Sequence, residues 1–173
     1  DVGTGAEVHS LVGTTAGVVA MAFAPDGTRL VTCGHDRAVR VWDVGTGQEL
    51  LTLAGNPSEM TAVAFDAAGA LVATGGTGDG GVRVWDATSG RLLKSLRGNV
   101  LGIDGLSFSP DGQRLASAER GQFARVWDLQ SGQALFSLFG HTSLVTALRR
   151  ELLDAVGVDD VEALLVQIPP AHR

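Results

Sequence analysis

Apolar and polar positions alternate along most of this chain, in runs of about five to eight residues divided by short turns rich in Gly, Asp, Ser and Thr. Val39-Arg40-Val41-Trp42, Val82-Arg83-Val84-Trp85 and Ala124-Arg125-Val126-Trp127 keep the period of two that sends successive side chains to opposite faces of a strand. Runs of this kind joined by Asp-Gly or Ser/Thr-Gly turns form antiparallel hairpins. Strands are predicted near 18–24, 29–33, 38–43 and 48–54, then near 60–66, 71–76, 81–86 and 91–97. A third set falls near 103–109, 114–118, 123–128 and 133–139. Segments 6–12 and 143–148 have strand character but no partners beside them in the pattern.

The strands repeat as a unit. Trp-Asp occurs at Trp42-Asp43, Trp85-Asp86 and Trp127-Asp128, spaced by 43 and 42 residues. Each pair leads into a polar turn closing on Gly47, Gly90 or Gly132, and Asp1 to Gly5 reads as the same turn. Upstream, Val18 to Gly27, Met60 to Gly69 and Ile103 to Gly112 align without gaps on Phe23, Phe65 and Phe108. Agreement of three registers at two separate anchors marks an internal repeat.

These residues resemble the WD40 repeat family of β-propellers over roughly residues 1–148: the Trp-Asp pairs, the Phe-x-Pro-Asp-Gly turns at 23–27 and 108–112, and Gly140-His141. The resemblance implies an all-β fold, a partial propeller of three four-stranded antiparallel blades at about 18–54, 60–97 and 103–139. Segment 6–12 would be the outer strand of a mostly absent blade, and 143–148 the innermost strand of a blade barely begun. It further implies a polar network in each blade, built from a histidine, a hydroxyl, an aspartate and the Trp indole. Thr32, Asp36 and Trp42 match in the first blade, with Thr14 in the histidine place. Thr74, Asp79 and Trp85 match in the second, with Asn56 in that place. The third keeps Ser117 and Trp127, while Asn99 and Gly121 replace histidine and aspartate, so it is expected to be the most weakly cross-tied. His141 alone keeps the histidine.

Three blades raise a problem of closure, since propellers have roughly four to eight. A bare blade face exposes on the order of 500 Å² of apolar surface, worth about 12 kcal/mol. The chain is therefore expected to be a fragment of a longer one or to complete a ring with copies of itself. After Leu148 the period changes: Val145, Leu148, Leu152 and Val156 recur at three and four. Asp159 with Glu162 then forms a capping box ahead of Val161, Leu165 and Ile168, and Pro169-Pro170 stops the pattern. Residues 149–173 are thus predicted to be a short helical tail.

Composition narrows the function. A 173-residue chain that is 45% hydrophobic and 18% charged holds one domain, or one domain with a short appendage. Its net charge of −6, with Lys94 as the one lysine, excludes a general nucleic-acid or anionic-membrane surface. No apolar run reaches the roughly 18 residues of a membrane span. Leu11 to Ala24 is apolar, but Asp1 and Glu7 stand where a signal peptide carries cations. A cytoplasmic location is the resulting expectation. Cys33 is a lone thiol in a strand, read as an inert core residue.

Candidate chemistry is sparse. Gly76-x-Gly78-x-x-Gly81 matches a dinucleotide fingerprint by letter, but a strand follows it where a helix is required. His9, His35, His141 and His172 lack zinc spacing, so no metal or cofactor is expected. Arg40, Arg83 and Arg125 stand in register and are read as third-strand side chains whose heads reach solvent or a carboxylate. The resemblance implies a non-enzymatic scaffold that binds a protein or peptide through loops at one ring face. Thr14, Thr15, His35, Arg37, Asn56, Glu59, Thr77, Asn99, Arg120 and Gln122 are the candidate contact residues there. Two alternatives remain open. One is a sensor propeller of a kinase or NTPase whose catalytic part lies outside this chain, the other a self-associating module joined through open blade faces.

Overall fold

The alternating segments pair into three separate sheets. A computed structural model describes residues 3–13, 16–78, 81–97, 102–120 and 123–139. The first sheet contains β1 (Val18–Phe23), β2 (Arg29–Gly34), β3 (Val39–Asp43) and β4 (Glu49–Leu53). The second contains β5 (Met60–Phe65), β6 (Leu71–Gly76), β7 (Gly81–Asp86) and β8 (Leu92–Arg97). The third contains β9 (Ile103–Phe108), β10 (Arg114–Glu119), β11 (Phe123–Asp128) and β12 (Ala134–Phe139). Every sheet is an antiparallel meander in chain order. Predicted segment 143–148, His141 and the helical tail over 149–173 lie outside the described residues.

Local chemistry sets the turns. Between β1 and β2, Asp26 Oδ1 accepts the Thr28 backbone N–H at 3.0 Å and its hydroxyl at 2.9 Å, while Gly27 takes φ +71°. That φ lies in the left-handed region glycine enters without a Cβ clash. The Trp-Asp aspartates close the β3–β4 type of turn in the same manner in all three sheets. Asp43 Oδ1 accepts the N–H and hydroxyl of Thr46 at 2.7 and 2.8 Å. Asp86 does so with Ser89 at 2.7 and 2.8 Å, and Asp128 with Ser131 at 2.6 and 2.6 Å. These bonds to the ionised form hold all three carboxyls below the ordinary aspartate range.

Register then decides which faces meet. The first seam joins Val31, Cys33, Val39 and Val41 of one sheet to Met60, Val72 and Trp85 of the next. The second joins Ala62, Ala73, Val82 and Val84 to Ile103, Phe108, Leu115 and Trp127. The second strand of each sheet, β2, β6 or β10, is buried along five consecutive residues, covered on both faces. Arg29 adds a polar clasp across the first seam, donating from Nη2 to Gly69 O at 2.6 Å and lying 5.5 Å over the Phe65 ring.

The first sheet's other face has no described sheet on it. Met21 and Phe23 are each 62% exposed there, whereas Phe108, in the place of Phe23, is 3% exposed. Segment 6–12, expected as an outer strand, forms no strand, because no described strand lies beside it to accept a ladder of backbone bonds. It nevertheless crosses the first sheet where an outer strand would lie. His9 Nε2 is 2.9 Å from Gly45 O, just as Lys94, at the equivalent place in β8, reaches Gln130 O at 2.9 Å. The segment covers Trp42 and leaves a cavity of about 450 Å³ whose lining includes His9, Leu11, Phe23, Leu30 and Trp42.

Candidate functional site

Each sheet is pinned internally by its tryptophan. Trp42 Nε1 donates to Thr32 Oγ1 at 2.8 Å, Trp85 Nε1 to Thr74 Oγ1 at 2.9 Å, and Trp127 Nε1 to Ser117 Oγ at 3.0 Å. All six residues are buried, so each bond satisfies a donor that would otherwise be stranded away from water. In the first sheet the register cation joins this group: Arg40 Nη1 donates to Asp36 Oδ2 at 2.8 Å, and its Nε lies 3.5 Å from Glu49 Oε2. Asp79 lies outside the described residues.

The third sheet departs from its expected weakness. Gly121 leaves no turn aspartate, but Glu119, two residues earlier at the end of β10, supplies the carboxylate. Glu119 Oε1 accepts the Ser117 hydroxyl at 3.1 Å and pairs with Arg125 Nη1 at 3.2 Å. Arg125 also lies 5.2 Å over the Trp127 ring and donates from Nε to Ser137 Oγ at 3.2 Å. Glu119 is fully buried, and burial pushes its carboxyl above the usual range, with Arg125 and Ser117 opposing. This residue was missed in the sequence because its position is glycine in the other two repeats, Gly34 and Gly76. The available signal was a carboxylate two places from the one that was absent.

The described candidate contact residues occupy the strand-end loops next to β1, β5 and β9. His35 Nδ1 lies 3.1 Å from Glu59 Oε2, joining the β2–β3 turn of the first sheet to the segment entering β5 of the second. Both side chains are half exposed. Arg37 follows in the same turn at φ +63°. The Thr77 backbone N–H donates to Glu59 O at 2.9 Å, which ties the two loops of the second sheet. In the third, Arg120 Nε donates to Asp104 Oδ1 at 2.8 Å. Asn56 donates from Nδ2 to Leu53 O at 3.1 Å, a role in holding the loop rather than in presenting a side chain. Thr14, Thr15, Asn99 and Gln122 lie outside the described residues.

Among the described residues, no three His, Cys, Asp or Glu side chains converge on a metal-sized site. Burial pushes the Cys33 thiol up to about 12, far from the range of a nucleophile. No helix among the described residues is long and apolar enough to cross a membrane.

Three meandering sheets stacked face to face, each held by a Trp–hydroxyl bond and closed by a Trp-Asp turn, define a β-propeller array. Residues 5–43, 47–86 and 90–128 match the family model of the WD domain, G-beta repeat, and the chain belongs to that family. Its members generally act as protein-interaction scaffolds and are generally non-catalytic. The fold is similar to a solved structure of U3-55K, with a TM-score of 0.75 at 23% identity over 79% of this chain and 43% of that one. A crystal structure of RRP9 WD40 repeats gives a TM-score of 0.74 at 23% identity, with the same 79% and 43% coverage. The chain thus spans less than half the length of either. A search of curated proteins found no match.

Proposed function

We propose that this chain is the binding part of a non-enzymatic scaffold, a portion of a larger WD-repeat propeller that takes a protein or peptide across its strand-end loops. The reading rests on the His35–Glu59 pair, in which two neighbouring sheets contribute to one half-exposed polar surface. Arg37, Thr77 and Arg120 extend that surface, and Thr14, Thr15, Asn56, Asn99 and Gln122 belong to the same loops by sequence. Loops on a rigid sheet scaffold suit recognition, since their side chains vary without disturbing the seams beneath.

Selection of a displayed peptide library on the full chain tests this. Binders are expected to weaken by about tenfold or more against Glu59→Ala or Arg120→Ala, the loss of an interface contact worth about 1.4 kcal/mol. They should be unaffected by Leu93→Lys on the outer rim. Binders indifferent to both loop changes would overturn the assignment.

A second reading is favoured by the open face of the first sheet, with Met21, Phe23 and the cavity beside Leu11. Such a face suits association with another sheet, including one from a second copy. Light scattering on the full chain should then show an oligomer that Phe23→Glu disperses; a monomer at all concentrations removes self-association.

A further inference from the structure

The first seam shows what a covered sheet receives beside its turns. Arg29, at the start of β2, reaches across to the second sheet, where its guanidinium lies 5.5 Å over the Phe65 ring. It donates from Nη2 to Gly69 O at 2.6 Å and brings Nη1 to 3.5 Å from Ala87 O. Phe65, Gly69 and Ala87 have their repeat equivalents on the first sheet in Phe23, Gly27 and Val44. The two glycines share a left-handed φ, +67° at Gly69 and +71° at Gly27, so the two turns follow the same course. On the first sheet, however, Phe23 is 62% exposed, and with Val44 it lines the cavity of about 450 Å³ beside the amino-terminal segment.

The charge of this cavity favours a cation. Glu7 and Asp43 stand in its lining, and among the described residues that line it there is no lysine or arginine. His9 is there as well, with Nε2 2.9 Å from Gly45 O. Leu11, Leu30 and Trp42 supply an apolar wall, and Val19 and Met21, 42 and 62% exposed, continue the apolar surface along β1. An aromatic ring, backbone carbonyls and carboxylates at the end of an apolar wall match a planar cation on an aliphatic stem, which is arginine rather than lysine. We propose, on the reading that this open face associates with another polypeptide, that the cavity is a guanidinium subsite. It takes an arginine side chain of that partner over Phe23, within reach of Gly27 O and Val44 O, while the arginine's apolar neighbours lie on Met21 and Val19. A free guanidinium compound leaves the β1 surface bare, so the site belongs to a polypeptide.

Disulfide exchange tests the subsite in the full chain. Val8→Cys places a thiol on the cavity lining at a position that is 61% exposed, and the unchanged chain with its buried Cys33 is the blank. Four disulfide reagents of equal length, ending in guanidinium, ammonium, urea or methyl, compete for the thiol and are read by mass spectrometry. Capture of the guanidinium should exceed that of the ammonium, and of the urea with its similar shape and no charge, by about fivefold. Phe23→Leu and Glu7→Gln, both at exposed positions, should each reduce that preference. Extending the guanidinium reagent to an Arg-Val dipeptide should raise capture further, by a surplus that Met21→Ser removes. Equal capture of the four reagents, a preference for methyl, no capture at all, or a guanidinium preference indifferent to Phe23→Leu overturns the subsite. A preference without the dipeptide surplus overturns the polypeptide source. The readout needs no second copy, so its failure is distinct from a failure of self-association in light scattering.

Discussion

A carboxylate buried without exposure is retained only where a cation or hydrogen bonds answer it, and Glu119 has Arg125 and the Ser117 hydroxyl. Glu119→Ala leaves Arg125 without this partner and should destabilise the chain by about 3 kcal/mol in urea unfolding. Gly121→Asp, which restores the aspartate of the first sheet's turn, should recover part of that loss. The pH dependence has two separate windows. Glu119 holds its proton more tightly folded than unfolded, so its contribution grows as pH falls through its raised value and is complete below the ordinary glutamate range, and Glu119→Gln should abolish that gain. The turn aspartates have depressed values, so their contribution is present above the ordinary aspartate range and disappears as pH falls through the native values. Asp86→Asn combined with Asp128→Asn should therefore flatten the acid limb of a stability–pH curve measured by unfolding midpoints. The tryptophan bonds make a third case: Thr74→Val strands the Trp85 N–H and should destabilise by about 1–3 kcal/mol.

Glycine spacing shows how an element is built around a close approach. A Cβ at Gly34 or Gly76 would run into the carbonyl oxygen of Gly17 or Glu59, where the loop entering the sheet closes over the strand end. Gly76→Ala should destabilise by about 1–3 kcal/mol, the scale of overpacking, which thermal unfolding would register. The strands themselves were legible, because period-two runs and Asp-Gly turns are local signals; each Trp–hydroxyl pair, ten or eleven residues apart on neighbouring strands, was implied only by the resemblance to the WD40 repeat. Segment 6–12 was less legible: its residues have strand character, but a ladder needs a partner that no local pattern can report. Glu119 and the His35–Glu59 contact were illegible for a similar reason, since both depend on which loop ends three-dimensional packing brings together.

Across the whole molecule, equivalent residues carry unequal weight because the stack has ends. Phe108→Ala, in a closed seam, should cost about 3–5 kcal/mol. Phe23→Ala, at the matching place on an open face, should change the stability of an isolated chain by under about 1 kcal/mol. A larger effect that grows with protein concentration would mean the first sheet is covered in solution by another molecule.

The chain has three tryptophans and no tyrosine. Trp85 and Trp127 lie in the two seams and Trp42 lies beneath the amino-terminal segment, all at 2–3% exposure. Intrinsic fluorescence excited at the red edge therefore originates from the two seams and from beneath the amino-terminal segment. Variants that keep a single indole would turn the same optical signal into a separate reporter for each junction, following the opening of one layer at a time without any attached dye.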